Sequence, residues 1–259
     1  MQLFSFWSGA PLGYVERLCI ASMLQAGHSL DIYTYDLDFV VPAGVTRRNA
    51  AEVLSRERIV LHESGSWAIF SDIFRYEALL LSAGTWVDLD VLLLKPISDF
   101  GEYIFGWQDP YVINGAVLRL PSESHCLQEL VALCRSPVVV GAHWRRRQKF
   151  AQKLRGMVGA HIPLERLEWG TVGPFSLTHL IGTHRLFYRS QPMDVLYPVH
   201  YDDAEQIFAA ESGVVEAKLT PSTRAVHFWN DRIKNLKRQA PPQGSFVAKM
   251  CDRFGIDAG

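Results

Sequence analysis

Cysteine is scarce and scattered in this sequence. Cys19, Cys126, Cys134 and Cys251 form no CxxC pair and no zinc-ligand spacing. Each lies in an apolar or helical context, which predicts reduced core thiols rather than a disulfide framework or a zinc site. Neither sign of charge dominates, because 26 basic residues face 27 acidic ones. No global field then draws the chain to nucleic acid or lipid, and any such binding must be local. There is no apolar run long enough to span a bilayer, and the opening MQLFSFW lacks the basic start of a secretory leader. These absences predict a cytoplasmic protein that reaches membranes only peripherally. Repeats, low-complexity tracts and linker-like stretches are missing as well. One domain over residues 1–259 is therefore expected.

The sequence does hold an opening strand–helix–strand pattern. Residues 2–7 read as a buried strand, 12–26 as a helix with Pro11 near its first turn and Gly27 as its stop, and 29–35 as a second strand. That order predicts a βαβ unit and an α/β fold with a mostly parallel sheet. A loop with Pro42 and Gly44, a small helix at 49–55 and a strand in RIVLHE follow. Residues 68–83 make a largely apolar helix closed by Gly84, and TWV then runs as a strand through DLD into VLLLKPI. YIFGWQ and YVINGAVLRL pair as strands around Asp109-Pro110. Helices are predicted up to Arg135, over 143–158, over 175–181 and over 246–254, with a short strand in RAVHFWN.

DLD occurs twice, at Asp36-Leu37-Asp38 and at Asp88-Leu89-Asp90. With 14 aspartates in the chain, one DxD triplet is expected by chance, about once in such a sequence, so setting has to separate the copies. The first leads into DFVVPAG with no anion-binding group nearby, and reads as a solvated turn in which Asp caps backbone amides. The second emerges from an apolar strand, and strand alternation puts Asp88 and Asp90 on one face with Leu89 on the other. Acids at the carboxyl edge of a parallel strand point into the crevice where α/β sheets bind ligands. Two close carboxylates there call for a cation, and hard oxygen ligands suit Mg²⁺ or Mn²⁺.

Thirteen to sixteen residues upstream, Asp72 and Arg75 share one face of a mostly apolar helix. An acid and a guanidinium together can take sugar hydroxyls and a phosphate. The alternative is an internal salt bridge that orients Arg75.

FSDIFRYEALLLSAGTWVDLDVLLLKP resembles the core signature of GT-A glycosyltransferases that carry a sugar-binding region with a DXD motif. That group includes bacterial capsule and lipopolysaccharide sugar transferases, yeast-type mannosyltransferases and α1,4-galactosyltransferases, with the clostridial glucosylating toxins more distant. The resemblance is strong over residues 70–97. It is weaker at FSFWSG, VINGAVLRLP, WGTVGPFSLT and VHFWND. It implies a GT-A, Rossmann-like fold with a helical C-terminal elaboration, a nucleotide-sugar and metal half at 1–120 and an acceptor-side half at 121–259. It also implies transfer of a sugar, with retention, from a nucleotide diphosphate sugar such as a UDP-sugar to a saccharide or lipid-linked saccharide hydroxyl in surface polysaccharide or glycolipid synthesis.

The residue roles it implies are these. Asp90, with Asp88 directly or through water, holds Mn²⁺ or Mg²⁺ against the diphosphate, and His227 ligates the metal or touches the diphosphate. Asn114 lies near the sugar and Trp7 stacks the base. Asp72 and Arg75 position sugar and ribose, and Lys234 adds positive charge. Three of these have plainer alternatives: core packing for Trp7, an ordinary Asn-Gly turn for Asn114 and a satisfied core histidine for His227.

HWRRRQKFAQKLRGMV is the one strong basic cluster. As a helix over 143–158 it groups Phe150, Leu154, Met157 and Val158 apart from most of its bases. It is read either as a contact with an anionic membrane or as a solvated helix packed on the core. No aromatic platform or recognised module accompanies it, so nucleic acid is not the expected partner. Among other functions, a nucleotidyltransferase would show a glycine-rich phosphate loop, which FWSGAPLGYVER does not make. A glycosidase needs two carboxylates that flank a sugar, wider apart than one DxD. A non-catalytic nucleotide-sugar- or glycan-binding protein on the same fold would be expected to have lost acids among Asp72, Asp88 and Asp90, and all three are present.

Overall fold

The computed structural model describes residues 1–258. Its strands are β1 (Gln2–Phe6), β2 (Ser29–Thr34), β3 (Val45–Asn49), β4 (Thr85–Val87), β5 (Val91–Leu93), β6 (Ile104–Trp107), β7 (Ile113–Arg119) and β8 (Ala225–His227). Six of them form the central sheet in the order β3-β2-β1-β4-β7-β6, while β5 and β8 pair separately. β1 runs parallel to β2 and β4, and β2 runs parallel to β3. Only β7 opposes its neighbours β4 and β6. This is the mixed, mostly parallel α/β architecture that the sequence predicts.

The helices are α1 (Tyr14–Gln25), α2 (Ala68–Leu80), α3 (His125–Arg135), α4 (Arg146–Met157), α5 (Pro174–Thr183), α6 (Met193–Leu196), α7 (Gly213–Glu216), α8 (Asn230–Ile233) and α9 (Phe246–Phe254). Side-chain alternation along the strands buries both faces of the sheet. Leu3, Leu30, Ile32 and Val87 pack on one side with α1 and with much of the chain after residue 195. Phe4, Phe6, Tyr33 and Trp86 pack on the other with α2, α3 and α5. α2 is sandwiched so fully that ten of its 13 residues are buried. An apolar helix of that kind forces its three charged side chains to find partners: Glu77 pairs with Arg135 of α3, and Asp72 and Arg75 must find theirs indoors.

Three expectations need correction. RIVLHE is not a strand; its first residue ends a short helical turn at Arg56–Arg58, and Ile59 and Val60 pack beside the second core without sheet pairing. The third strand is instead β3, VTRRN, which lies at the sheet edge with Arg47 and Arg48 exposed. An edge strand facing water needs no apolar alternation, so its sequence did not announce it. TWVDLDVLLL is likewise not one strand. The chain leaves the large sheet at Asp88, turns through Leu89 and Asp90, and enters the small sheet as β5. Asn114, for which a turn was the plainer reading, lies inside β7; the β6–β7 turn is closed instead by Gln108 and Val112 (N–H to C=O, 2.9 Å).

Candidate metal centre

β4 ends at the carboxyl edge of the parallel strands, and Asp88 follows it directly. The Asp88 amide still donates to Ala116 C=O of β7 at 2.8 Å, which fixes where the acid leaves the sheet. The Val91 amide then bonds back to Asp88 C=O at 3.1 Å and closes a tight turn. The two carboxylates therefore meet because the backbone turns, not because a strand alternates. Leu89 at the turn's centre is buried in the core, anchoring it.

His227 comes to the same place by sheet register, since it pairs with Val91 at the start of β5. Its Nε2 lies 3.2 Å from Asp90 Oδ2. One ligand atom from each of Asp88, Asp90 and His227 falls within 4.8 Å of the others. Adjacent ligands on an octahedral ion with bonds near 2.1 Å stand about 3 Å apart, so the Asp90–His227 spacing fits such an ion. Two carboxylates and an imidazole can together hold a divalent metal.

The chain around His227 wraps Asp90 closely. Phe228 N–H donates to Asp90 C=O at 2.9 Å, and Asn230 N–H donates to Asp90 Oδ2 at 2.7 Å. Between them Trp229 takes a left-handed conformation (φ 59°, ψ 67°), uncommon for an aromatic residue. That twist aims the Asn230 amide at the acid. Its cost, roughly 1–3 kcal/mol, persists only where surroundings enforce it. The enforcement is visible: the Trp229 indole donates to Val199 C=O at 2.9 Å, and its ring packs 4.1 Å from that of His227.

Asp88 is held from behind. Arg75 donates from Nη1 to Asp72 Oδ1 and from Nη2 to Asp88 Oδ1, each at 2.9 Å. Trp86 donates its indole N–H to the same Asp88 oxygen at 2.5 Å and places its ring 4.7 Å beneath the Arg75 guanidinium. The helical spacing of Asp72 and Arg75 thus produces the internal salt bridge, extended by a third member. Arg75 Nε remains buried without a partner.

Burial pushes Asp72 up to about 6, against the pull of Arg75 and with a further push from Asp88. Burial also raises Asp88; Arg75 opposes it and Asp90 adds to it. Burial would raise Asp90 too, but His227 and the donated hydrogen bonds outweigh it and hold that acid low. The two acids of one triplet are thus driven apart by their different neighbours.

Two glycines make room for this network. A Cβ on Gly115 of β7 would stand 2.5 Å from Arg75 Nη1, and one on Gly173, just before α5, would stand 2.3 Å from Asp72 Oδ2. Asp72 therefore lies against the N-terminal end of α5, where the helix dipole favours a negative charge.

The remaining sequence candidates fall at varying places. Trp7 follows β1, whose residue Phe4 is level with Trp86, so it shares the carboxyl edge with Asp88. It is half-buried, and its indole donates to Ala10 C=O at 2.8 Å. Asn114 gives Nδ2–H to Gln108 Oε1 at 2.7 Å and accepts from Ala116 N–H at 2.6 Å. Lys234 is exposed and pairs with Asp231 at 3.5 Å; among the described residues it makes no hydrogen bond or ion pair with the cluster. Asp36 and Asp38 are exposed, and Asp36 Oδ1 accepts the Asp38 amide at 3.0 Å, the capped turn expected of the first triplet. Trp86 and the Asn230 amide were not anticipated. Trp86 was within reach, because strand alternation puts it on the same side as Asp88; a backbone donor leaves no mark in sequence.

No protein-family model matches the chain, and no curated protein matches it. Among solved structures it is similar to "PaToxG Glycosyltransferase", with a TM-score of 0.45 and 12% identity over 70% of this chain and 68% of that one.

Proposed function

We propose that the protein is a metal-dependent glycosyltransferase that moves a sugar from a nucleotide diphosphate sugar to an acceptor hydroxyl. The observation that carries this reading is the Asp88–Asp90–His227 cluster at the carboxyl edge of a mostly parallel sheet, where α/β proteins bind nucleotides. The resemblance of residues 70–97 to the DXD signature supports it. A mixed oxygen and nitrogen donor set favours Mn²⁺ over Mg²⁺. Such an ion, when bound, neutralises charge that develops on a departing diphosphate.

The chain's own residues divide the work. Asn230 N–H and His227 orient the Asp90 carboxylate and keep it ionised. Arg75 and Trp86 occupy Asp88 Oδ1, which leaves its other oxygen without a donor among the described residues. Both terminal nitrogens of Arg75 are committed to acids, so Arg75 acts as a positioning residue for Asp88. Trp7, at the end of the neighbouring strand, offers a ring for a nucleobase, and stacking of that kind contributes about 1–3 kcal/mol per base. Asn114 lines the same edge from β7 and faces the transferred sugar. UDP-sugars are the donors of first choice, with the stereochemistry retained.

The test is thermal stabilisation across nucleotide sugars with and without Mn²⁺, followed by product analysis with the responding donor. A donor that stabilises only with the metal, and a sugar transferred onto an acceptor, are expected. Metal-dependent turnover that survives Asp90→Ala would sink the proposal, as would the lack of a metal-dependent response to every donor.

A further inference from the structure

We propose that α4 is a membrane-docking helix that lies flat on an anionic bilayer. The reaction plays no part in this inference. Phe150, Leu154, Met157 and the adjoining Val158 are 69%, 52%, 83% and 77% exposed. At about 100° per residue, Phe150, Leu154 and Met157 fall within an arc of about 60°. These side chains are therefore not the helix's attachment to the core.

The attachment is on the other side. Gln152 is the one buried residue of α4; it donates to Val139 C=O and Ile162 C=O and accepts from Ile162 N–H. Gly156 beside it sits so close to Val138 that a Cβ would stand 2.7 Å from that side chain. The helix is thus fastened by a polar residue and a glycine while its apolar residues face out. Packing on the core predicts the reverse.

Charge completes the pattern. Arg145, Arg146, Arg147, Lys149, Lys153 and Arg155 supply six bases, and residues 143–158 contain no acid. Arg146 and Lys153 flank one edge of the apolar arc and Arg147 the other. Lys149 turns inward to Ala142 C=O. Among the described residues, none of the other five bases is paired with an acid. Bases that border an apolar stripe match a bilayer surface, where acyl chains lie beneath anionic headgroups. A second copy of the chain is a poor occupant, because a two-fold contact would set these unpaired bases against one another.

The helix also communicates with the cluster's wall. Ala142 N–H, in the loop before it, donates to Ser176 Oγ of α5 at 3.0 Å, and His143 packs on Phe175 at 5.4 Å. Docking through α4 would therefore fix α5, whose first turn meets Asp72, relative to the lipid surface.

Co-sedimentation with vesicles tests the proposal. The protein is expected to pellet with phosphatidylcholine–phosphatidylglycerol vesicles, to release at high salt, and to remain free with phosphatidylcholine alone. Each base near the surface contributes about five-fold, so Arg146→Gln, Arg147→Gln and Lys153→Gln together should weaken partitioning on the order of a hundred-fold. Phe150→Ser, Leu154→Ser and Met157→Ser together should weaken it about ten-fold or more. All six positions are exposed, and unchanged melting confirms that each variant is folded. The proposal is overturned if the wild type ignores anionic vesicles, or if both triple variants bind as it does. A dimer or a nucleic-acid complex that depends on these residues, without vesicle binding, overturns it equally.

Discussion

Arg75 donates from Nη2 to Oδ1 of Asp88 at 2.9 Å, across the boundary between the buried helix α2 and the end of β4. The guanidinium side chain is only 7% exposed, so its charge is affordable only because Asp72 and Asp88 both accept from it. Among the described residues, no group of the chain donates to Asp88 Oδ2. One oxygen is secured and the other is left for whatever enters the crevice.

Arg75→Lys keeps the charge but loses the planar fork that reaches two acids at once. One of the two carboxylates is then left buried and unpaired, at a cost of about 3 kcal/mol. Urea unfolding of the variant should show a loss of that order, and a loss under 1 kcal/mol would mean that the bridge contributes little.

The two DLD triplets should respond differently to the same change. Asp88→Asn or Asp90→Asn is expected to weaken Mn²⁺ binding at least about a hundred-fold, as loss of a charged ligand from a three-ligand site does. Asp36→Asn and Asp38→Asn, on an exposed turn, should leave it unchanged. Calorimetric titration with the metal alone distinguishes them. Equal responses at both triplets would remove the basis for the assignment.

Gly115→Ala and Gly173→Ala test whether the network tolerates displacement. Each added methyl meets a buried, already bonded side chain, and overpacking of this kind costs about 1–3 kcal/mol. The loss should appear in the melting temperature together with reduced metal affinity. A fall in melting temperature alone would mean that Asp88 keeps its position when Arg75 moves.

Stability should carry an imprint of Asp72. Its folded pKa of about 6 lies above the ordinary 3.8, so the folded chain holds this proton more tightly than the unfolded one. The contribution is complete below about 3.8 and is lost as pH rises through about 6. Asp72→Asn cannot show this dependence. Its stability relative to the wild type should improve between about pH 4 and pH 7, by up to roughly 3 kcal/mol for a shift of about two units. Unfolding curves at the two pH values measure the difference, and a constant gap would contradict the shifted acid.

Much of this was legible from residue order, for physical reasons that differ from place to place. The opening βαβ unit declares itself because buried strands and a capped helix leave strong periodic patterns. Asp88 and Asp90 were identified by the apolar strand that delivers them, yet the turn between them was hidden. VLLL after the triplet looks like more of the same strand, although it belongs to another sheet. β3 was missed because an exposed edge strand of arginines has no apolar rhythm. The outward Phe150–Val158 stripe could be grouped from helical spacing, but whether it faced the core or water depended on where Gln152 attached.

The wrapping of Asp90 by the 227–230 segment also bears on how the molecule assembles. The Asn230 amide and its acceptor are 140 residues apart in the chain. Closing a loop of that length costs roughly 4 kcal/mol of chain entropy plus a constant, and one hydrogen bond cannot supply it. The closure must be driven by the packing of β8 and the chain around it against α1 and β5. During synthesis, the acids of the DLD turn leave the ribosome long before their histidine and backbone donor. A partly made chain carries the carboxylates without the enclosure that completes them, so the ability to retain a metal ion becomes a report that the C-terminal segment has docked.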